Sequence, residues 1–245
     1  SFDVGDGGRP HFAVLELSST ISSEDLPLQT TRATYEDCPL DGVDNPAAPY
    51  TVLFACNTRS ETVEQEGQDA SSWVTKASTA EYDGYGNVVL SADLGVVDIG
   101  GVGCAACRAD GERGAACGQQ CLGDESYTST TYADPADNIS GRWLLGLEVS
   151  SVDWEVDGGR ERSSHTYYDG EAFVGLAAGV TDRGVPTRLE ADTEEGVFAM
   201  ARHAYDATGL RIASLLPGAD PATPGQRRRW HYDEVGLRVT QSFID

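Results

Sequence analysis

Tyr82-Asp83-Gly84-Tyr85-Gly86-Asn87-Val88 is the stretch whose reading decides the fold of this chain. The same spacing returns at Tyr205-Asp206-Ala207-Thr208-Gly209-Leu210-Arg211-Ile212 and at Tyr232-Asp233-Glu234-Val235-Gly236-Leu237-Arg238-Val239. Tyr168-Asp169-Gly170 is a partial copy. A strand ending in Tyr, an Asp whose carboxylate caps the turn, a Gly three residues on that supplies positive φ, and a strand running back make a β-hairpin. One copy is an ordinary turn. Three full copies, each flanked by strand-like residues, are a repeat.

Outward from these turns the chain is a series of short runs rich in Val, Thr, Tyr and Trp: 12–17, 50–56, 72–79, 87–90, 127–132, 143–156 and 161–168. Such runs, broken by Gly and Asp, read as β-strands joined by hairpins. Residues 194–205 carry helix-favouring Glu, Ala, Met and Arg. Their alternation into Tyr205-Asp206 favours a strand instead. Residues 36–49, 96–123 and 217–225 are loop-like, rich in Pro, Gly or Cys.

The 245 residues hold 40 acidic against 17 basic side chains, a formal net charge of −23, and Lys76 is the single Lys. Phosphate affinity comes from clustered Lys and Arg, so nucleic acid is not an expected partner, and neither is an anionic membrane surface. A hydrophobic share of 40% is enough for a packed core. No run approaches the roughly 18 consecutive apolar residues of a transmembrane helix, so no membrane insertion is expected. The chain opens at Ser1 with no Met and no signal peptide, and closes just after a strand-like run. A segment of a longer polypeptide is expected.

The three copies resemble the YD repeats of Rhs proteins, teneurins and the B and C components of insecticidal toxin complexes. Ser78-Thr79-Ala80-Glu81-Tyr82-Asp83-Gly84-Tyr85-Gly86-Asn87-Val88 is similar to that family's repeat thread. Tyr127-Thr128-Ser129-Thr130-Thr131-Tyr132-Ala133, followed by Trp143-Leu144-Leu145-Gly146-Leu147, resembles a segment of the toxin-complex B shell. His165-Thr166-Tyr167-Tyr168-Asp169-Gly170, with Phe173-Val174-Gly175-Leu176 and Thr181-Asp182-Arg183-Gly184, is similar to a run there. The resemblance covers residues 75–245, and the first part of the chain fits less well.

The resemblance implies a mainly β fold, with antiparallel strands and hairpins forming an arc of a YD-repeat β-shell. It implies a β-rich flanking segment at 1–75 with a Pro- and Cys-containing loop, then a shell segment at 76–245 with a Cys-rich insertion at 96–123. In the toxin relatives such a shell encloses a cytotoxic segment, and in teneurin-like relatives it is a cell-surface scaffold. The implied partners are the rest of the parent polypeptide or other shell subunits, and an encapsulated toxin segment. The implied location is secreted or extracellular. The self-cleaving Asp-Pro-x-Gly core of the toxin relatives is not recognisable, since Asp134-Pro135 and Asp220-Pro221 lack the Gly. No protease residue is assigned.

Cys104, Cys107, Cys117 and Cys121 have spacing that suits either zinc or disulfides, and with Cys38 and Cys56 the total is an even six. Cys38 and Cys56 bracket the Pro-rich loop and are expected to pair. Either cross-link is structural. The carboxylate pairs Glu24-Asp25, Glu36-Asp37, Asp124-Glu125 and Glu194-Glu195 read as solvated surface in so acidic a chain. A carbohydrate-active enzyme, which needs two carboxylates about 5–10 Å apart in a cleft, is the least favoured reading. His11, His165, His203 and His231 are dispersed, and the last three suit strand packing. Arg227-Arg228-Arg229 reads as a strand facing acidic neighbours. Asn138-Ile139-Ser140 is a glycosylation sequon. The expectation is a non-enzymatic structural segment with no cofactor.

Overall fold

A computed structural model describes residues 2–4, 16–23, 26–40, 53–65, 73–97, 125–155, 162–193, 196–220, 223, 225–233, 235–236 and 238–244. Side-chain alternation sets the strands. In β5 (Val74–Tyr82) Thr75 and Ala77 are buried while Val74, Lys76 and Ser78 are exposed, the period-two pattern of a sheet with one covered face. The strands before it are β1 (Phe2–Val4), β2 (Glu16–Ser23), β3 (Leu26–Pro39) and β4 (Leu53–Glu64). After it come β6 (Val88–Val97), β7 (Ser126–Tyr132), β8 (Glu148–Glu155), β9 (Arg162–Tyr168) and β10 (Pro186–Thr193). The series closes with β11 (Gly196–Tyr205), β12 (Arg211–Leu215), β13 (Arg227–Tyr232) and β14 (Val239–Ile244). Among the described residues the only helical element is one 3₁₀ turn, Pro135–Asp137. No helix there is long and apolar enough to cross a membrane.

Strands pair antiparallel with their neighbours in chain order from β1 to β7 and from β9 to β14. An antiparallel partner is reached without a crossover, so chain order becomes sheet order whether the connection is a tight turn or a longer excursion. The chain forms two compact units, Ser1–Ser129 with Asp153–Arg160, and Thr130–Val152 with Glu161–Asp245. In the first, Ala77, Ala92, Leu94 and Tyr127 form a buried cluster against which Val97 and Trp154 pack. The Tyr127 and Trp154 rings are stacked 5.6 Å apart. In the second, the buried apolar residues include Tyr168, Ala204, Ala213 and Leu215.

Two segments differ from the sequence reading. The strand expected at 143–156 starts only at Glu148. Gly146, at φ 72°, takes the chain out of the extended region, and Leu144 and Leu147 pack on Gly184. The loop expected from Glu36 is strand as far as Pro39, because β4 supplies a full antiparallel ladder there. The strand favoured within 194–205 is present as β11 from Gly196.

Cys38 on β3 and Cys56 on β4 are joined by a disulfide with Cα atoms 5.9 Å apart. In the ladder Cys38 faces Phe54 and Cys56 faces Glu36, so the bridge runs diagonally across the strand pair. Cys56 is buried. The bridge closes a separation of 18 residues. Loop-closure entropy for such a ring predicts that Cys38→Ser with Cys56→Ser lowers stability by about 3 kcal/mol. Urea unfolding with and without reductant measures this: the reductant should shift the wild type by more than it shifts the double variant.

Candidate functional site

The repeated hairpins carry one construction. Each Tyr sits at a register irregularity at the end of its strand, between Glu81 and Tyr82, Ala204 and Tyr205, and His231 and Tyr232. A bulge re-aims the side chain beyond it. The phenol hydroxyl then donates to a backbone carbonyl of the preceding strand. Tyr82 reaches Asn57 O on β4 at 3.0 Å, Tyr205 reaches Pro186 O on β10 at 2.9 Å, and Tyr232 reaches Arg211 O on β12 at 2.9 Å. Tyr168 does the same to Glu148 O on β8 at 2.7 Å.

Asp follows Tyr and caps the turn. Asp83 Oδ1 accepts from the N–H groups of Tyr85 at 2.8 Å and Asn87 at 2.9 Å, while the Asn87 side chain donates to Oδ2. Asp206 Oδ1 accepts from Thr208 N, Thr208 Oγ1 and Leu210 N. Asp233 Oδ1 accepts from Arg238 N at 3.3 Å, one residue further along than in the other two turns. Gly86, Gly209 and Gly236 stand at φ 84°, 90° and 71°. Any other residue is strained at those angles. Gly86 also lies under the Phe54 ring, which meets Tyr82 edge-on at 5.8 Å. Phe54 faces Cys38 in the ladder, so the disulfide-bridged pair of strands supports the first hairpin.

The partial copy behaves differently. After Tyr168 the chain makes an excursion before β10, and Asp169 closes it. Asp169 Oδ2 accepts from the N–H groups of Asp182, Arg183 and Gly184, and Oδ1 from Val185. Arg183 Nη1 in turn donates to Ala207 O in the next turn at 2.9 Å. Sequence reasoning missed Arg183 and also Asn138. The Asn138 amide Nδ2 donates to Thr181 Oγ1 and Asp182 O. Its Oδ1 accepts from Ser140 N, Ser140 Oγ and Arg142 N. The sequon is therefore a loop clasp, and Asn138 is buried.

His203 Nδ1 lies 2.6 Å from Ser214 Oγ, and burial, with Arg211 beside it, pulls its pKa below the ordinary range. The His231 ring meets Phe243 edge-on at 5.4 Å. The arginine run does not face acidic strands. Arg227, Arg228 and Arg229 oppose Leu215, Ser214 and Ala213, and on the other side Arg228 and Arg229 oppose Ile244 and Phe243. Strand register sets those partners, and the composition of the run does not reveal it. Cys104, Cys107, Cys117 and Cys121 lie outside the described residues, as do His11, Glu24, Asp25, Asp124, Glu194 and Glu195. Among the described residues no three His, Cys, Asp or Glu side chains are grouped as metal ligands.

The geometry defines a sheet of stapled antiparallel hairpins, and the fold of the chain is similar to that of solved structures. The chain matches a crystal structure of TcdB2-TccC3-Cdc42 with a TM-score of 0.63 at 12% identity, over 95% of this chain. It matches TcdB2-TccC3 without its hypervariable C-terminal region at a TM-score of 0.61 and 12% identity, again over 95% of this chain. A Photorhabdus luminescens Tc holotoxin pore with a mutated TccC3 matches at 0.52, with 12% identity and 95% coverage. The chain spans 14% of the length of the first two solved chains and 15% of the third. No family profile and no curated protein matches the sequence.

Burial, with the Glu148 charge adding to it, pushes the Tyr168 phenol up to about 12, and burial also raises Tyr82 and Tyr205. The fold thus favours the neutral, donating hydroxyl. That stabilisation is complete below pH about 10, the ordinary phenol value, and is lost as pH rises from there to about 12. Tyr168→Phe should cost about 1 kcal/mol at neutral pH and flatten part of the alkaline loss, read from urea midpoints between pH 8 and 12. The Asp206 carboxyl is held below the usual range, first by the Thr208 hydroxyl and then by Leu210 N–H. Its contribution is present above the ordinary carboxylate pKa and disappears as pH falls through the depressed one.

Expression in a eukaryotic secretory host should leave Asn138 without glycan by intact-mass measurement, because both amide donors are engaged. Asn138→Ala should destabilise by about 2 kcal/mol, since it orphans buried partners.

Proposed function

We propose that the chain is a wall segment of a YD-repeat shell of the Rhs and toxin-complex type, with no catalytic chemistry or cofactor of its own. One observation carries this reading: the bulge, hydroxyl staple, carboxylate cap and positive-φ Gly recur together in three hairpins. The fold match to TcdB2-TccC3 over 95% of this chain supports it. Residues 76–245 are the shell segment and 1–75 the flanking β-rich piece. The segment is exported and joins the rest of its parent polypeptide or other shell subunits. The shell encloses or presents a toxin segment.

The mechanism is exclusion. Paired strands leave no unsatisfied backbone between them, so a wall of this kind is closed to a polypeptide wherever its edges are covered. Staples at the turn ends hold neighbouring hairpins where ladders otherwise fray. A net charge of −23 keeps the assembly soluble and separates it from like-charged neighbours.

The test uses the whole parent polypeptide. Electron microscopy should show a closed particle, and limited proteolysis should spare the downstream segment until denaturant opens the wall. A downstream segment cleaved as fast inside the intact protein as when free would overturn the proposal.

A further inference from the structure

Directly opposed residues of antiparallel strands share one face of the sheet. Across β9 to β13 one such row reads Tyr167, Arg188, Arg202, Leu215, Arg227. The adjoining row across β11 to β14 reads Ala204, Ala213, Arg229, Phe243. Four guanidinium groups therefore stand on one face of a chain that carries a net charge of −23. Arg188 lies 3.9 Å above the Tyr167 ring and pairs with Glu190 at 3.4 Å. Arg227 lies 5.7 Å from the Phe173 ring. Arg202 is opposite Arg188, and like charges directly opposed are destabilising. Arg202 Nε is buried with no hydrogen-bond partner among the described residues.

Shape supplies an independent observation. Ala204 and Ala213 are small, opposed and buried. Larger side chains surround them, and a concavity of about 1020 Å³ results, lined by Phe173, Ala204, Ala213, Arg227, Arg229 and His231 and also by Asp206 and Asp233, whose carboxylates cap their own turns, while Arg202 stands on the same face outside the lining.

We propose that this face binds an extended acidic peptide segment. Its carboxylates lie on Arg202, Arg227 and Arg229, and one apolar side chain rests on the Ala204–Ala213 floor beside Phe173. A carboxylate matches the planar guanidinium fork in bidentate fashion. A short peptide carries few charges into the acidic field of the chain, whereas nucleic acid brings one per phosphate and meets that field along its length. The inference needs only this face and stands apart from the shell reading.

The probe is a dye-labelled peptide, Glu-Ser-Glu-Leu-Glu-Ser-Glu, titrated with the full chain by fluorescence anisotropy. Its Gln-for-Glu counterpart is the comparison. The acidic peptide should bind saturably, weaken as salt rises, and bind about tenfold better than the Gln peptide. Arg202→Gln and Arg227→Gln should each weaken it roughly fivefold. Arg228→Gln, the same charge change on the opposite face of β13, should leave it within about twofold. Thermal melts separate binding loss from unfolding, and Arg227→Gln decides the matter should Arg202→Gln fail to fold. Equal affinity for both peptides, or an Arg228→Gln loss as large as that of Arg227→Gln, would overturn the proposal.

Discussion

A tyrosine hydroxyl donating to a carbonyl of the neighbouring strand is the contact on which the hairpins depend. Among the described residues it occurs at Tyr82, Tyr168, Tyr205 and Tyr232, over distances of 3.0, 2.7, 2.9 and 2.9 Å. Each lies at a strand end, where the backbone ladder stops and fraying begins. A net hydrogen bond of this kind contributes about 1 kcal/mol, and the ring adds the area it covers. Burial raises the phenol pKa of Tyr82, Tyr168 and Tyr205, so those hydroxyls remain donors to higher pH than a free phenol does.

Asp completes the construction in two ways. In Asp83 and Asp206 the carboxylate gathers N–H groups two and four residues on, and the chain turns back at once. In Asp169 the same chemistry gathers N–H groups 13 to 16 residues on, and a long excursion is closed instead. A carboxylate in such a position takes whichever donors the backbone presents. Arg183 then links the excursion to the turn at Asp206-Ala207.

Much of the strand content was legible, and the exceptions have physical causes. Leu26–Pro39 escaped notice because its Thr, Gln and Arg side chains are exposed or half-buried, so no alternation of apolar and polar residues marks the strand. The run at 143–147 looks extended by composition, yet Gly146 at positive φ and the packing of Leu144 and Leu147 on Gly184 draw it away from a ladder. Asn138 reads as an acceptor for glycan by motif alone. Its amide instead clasps Thr181 and Asp182, more than 40 residues away. The partners of Arg227 to Arg229 were misjudged because the strands on either side, Arg211–Leu215 and Val239–Ile244, contain no Asp or Glu in any register.

By itself the sequence determined the local geometry: where strands turn back, which residue caps each turn, and which Gly takes positive φ. Those are properties of a few adjacent residues, and the short-range chemistry of Asp and Gly settles them. The tertiary structure alone decided which carbonyl each Tyr hydroxyl reaches, what Asp169 closes, and which arginines share a face. Those depend on register between strands distant in the chain, and register is set by the sum of many pairings rather than by any one motif.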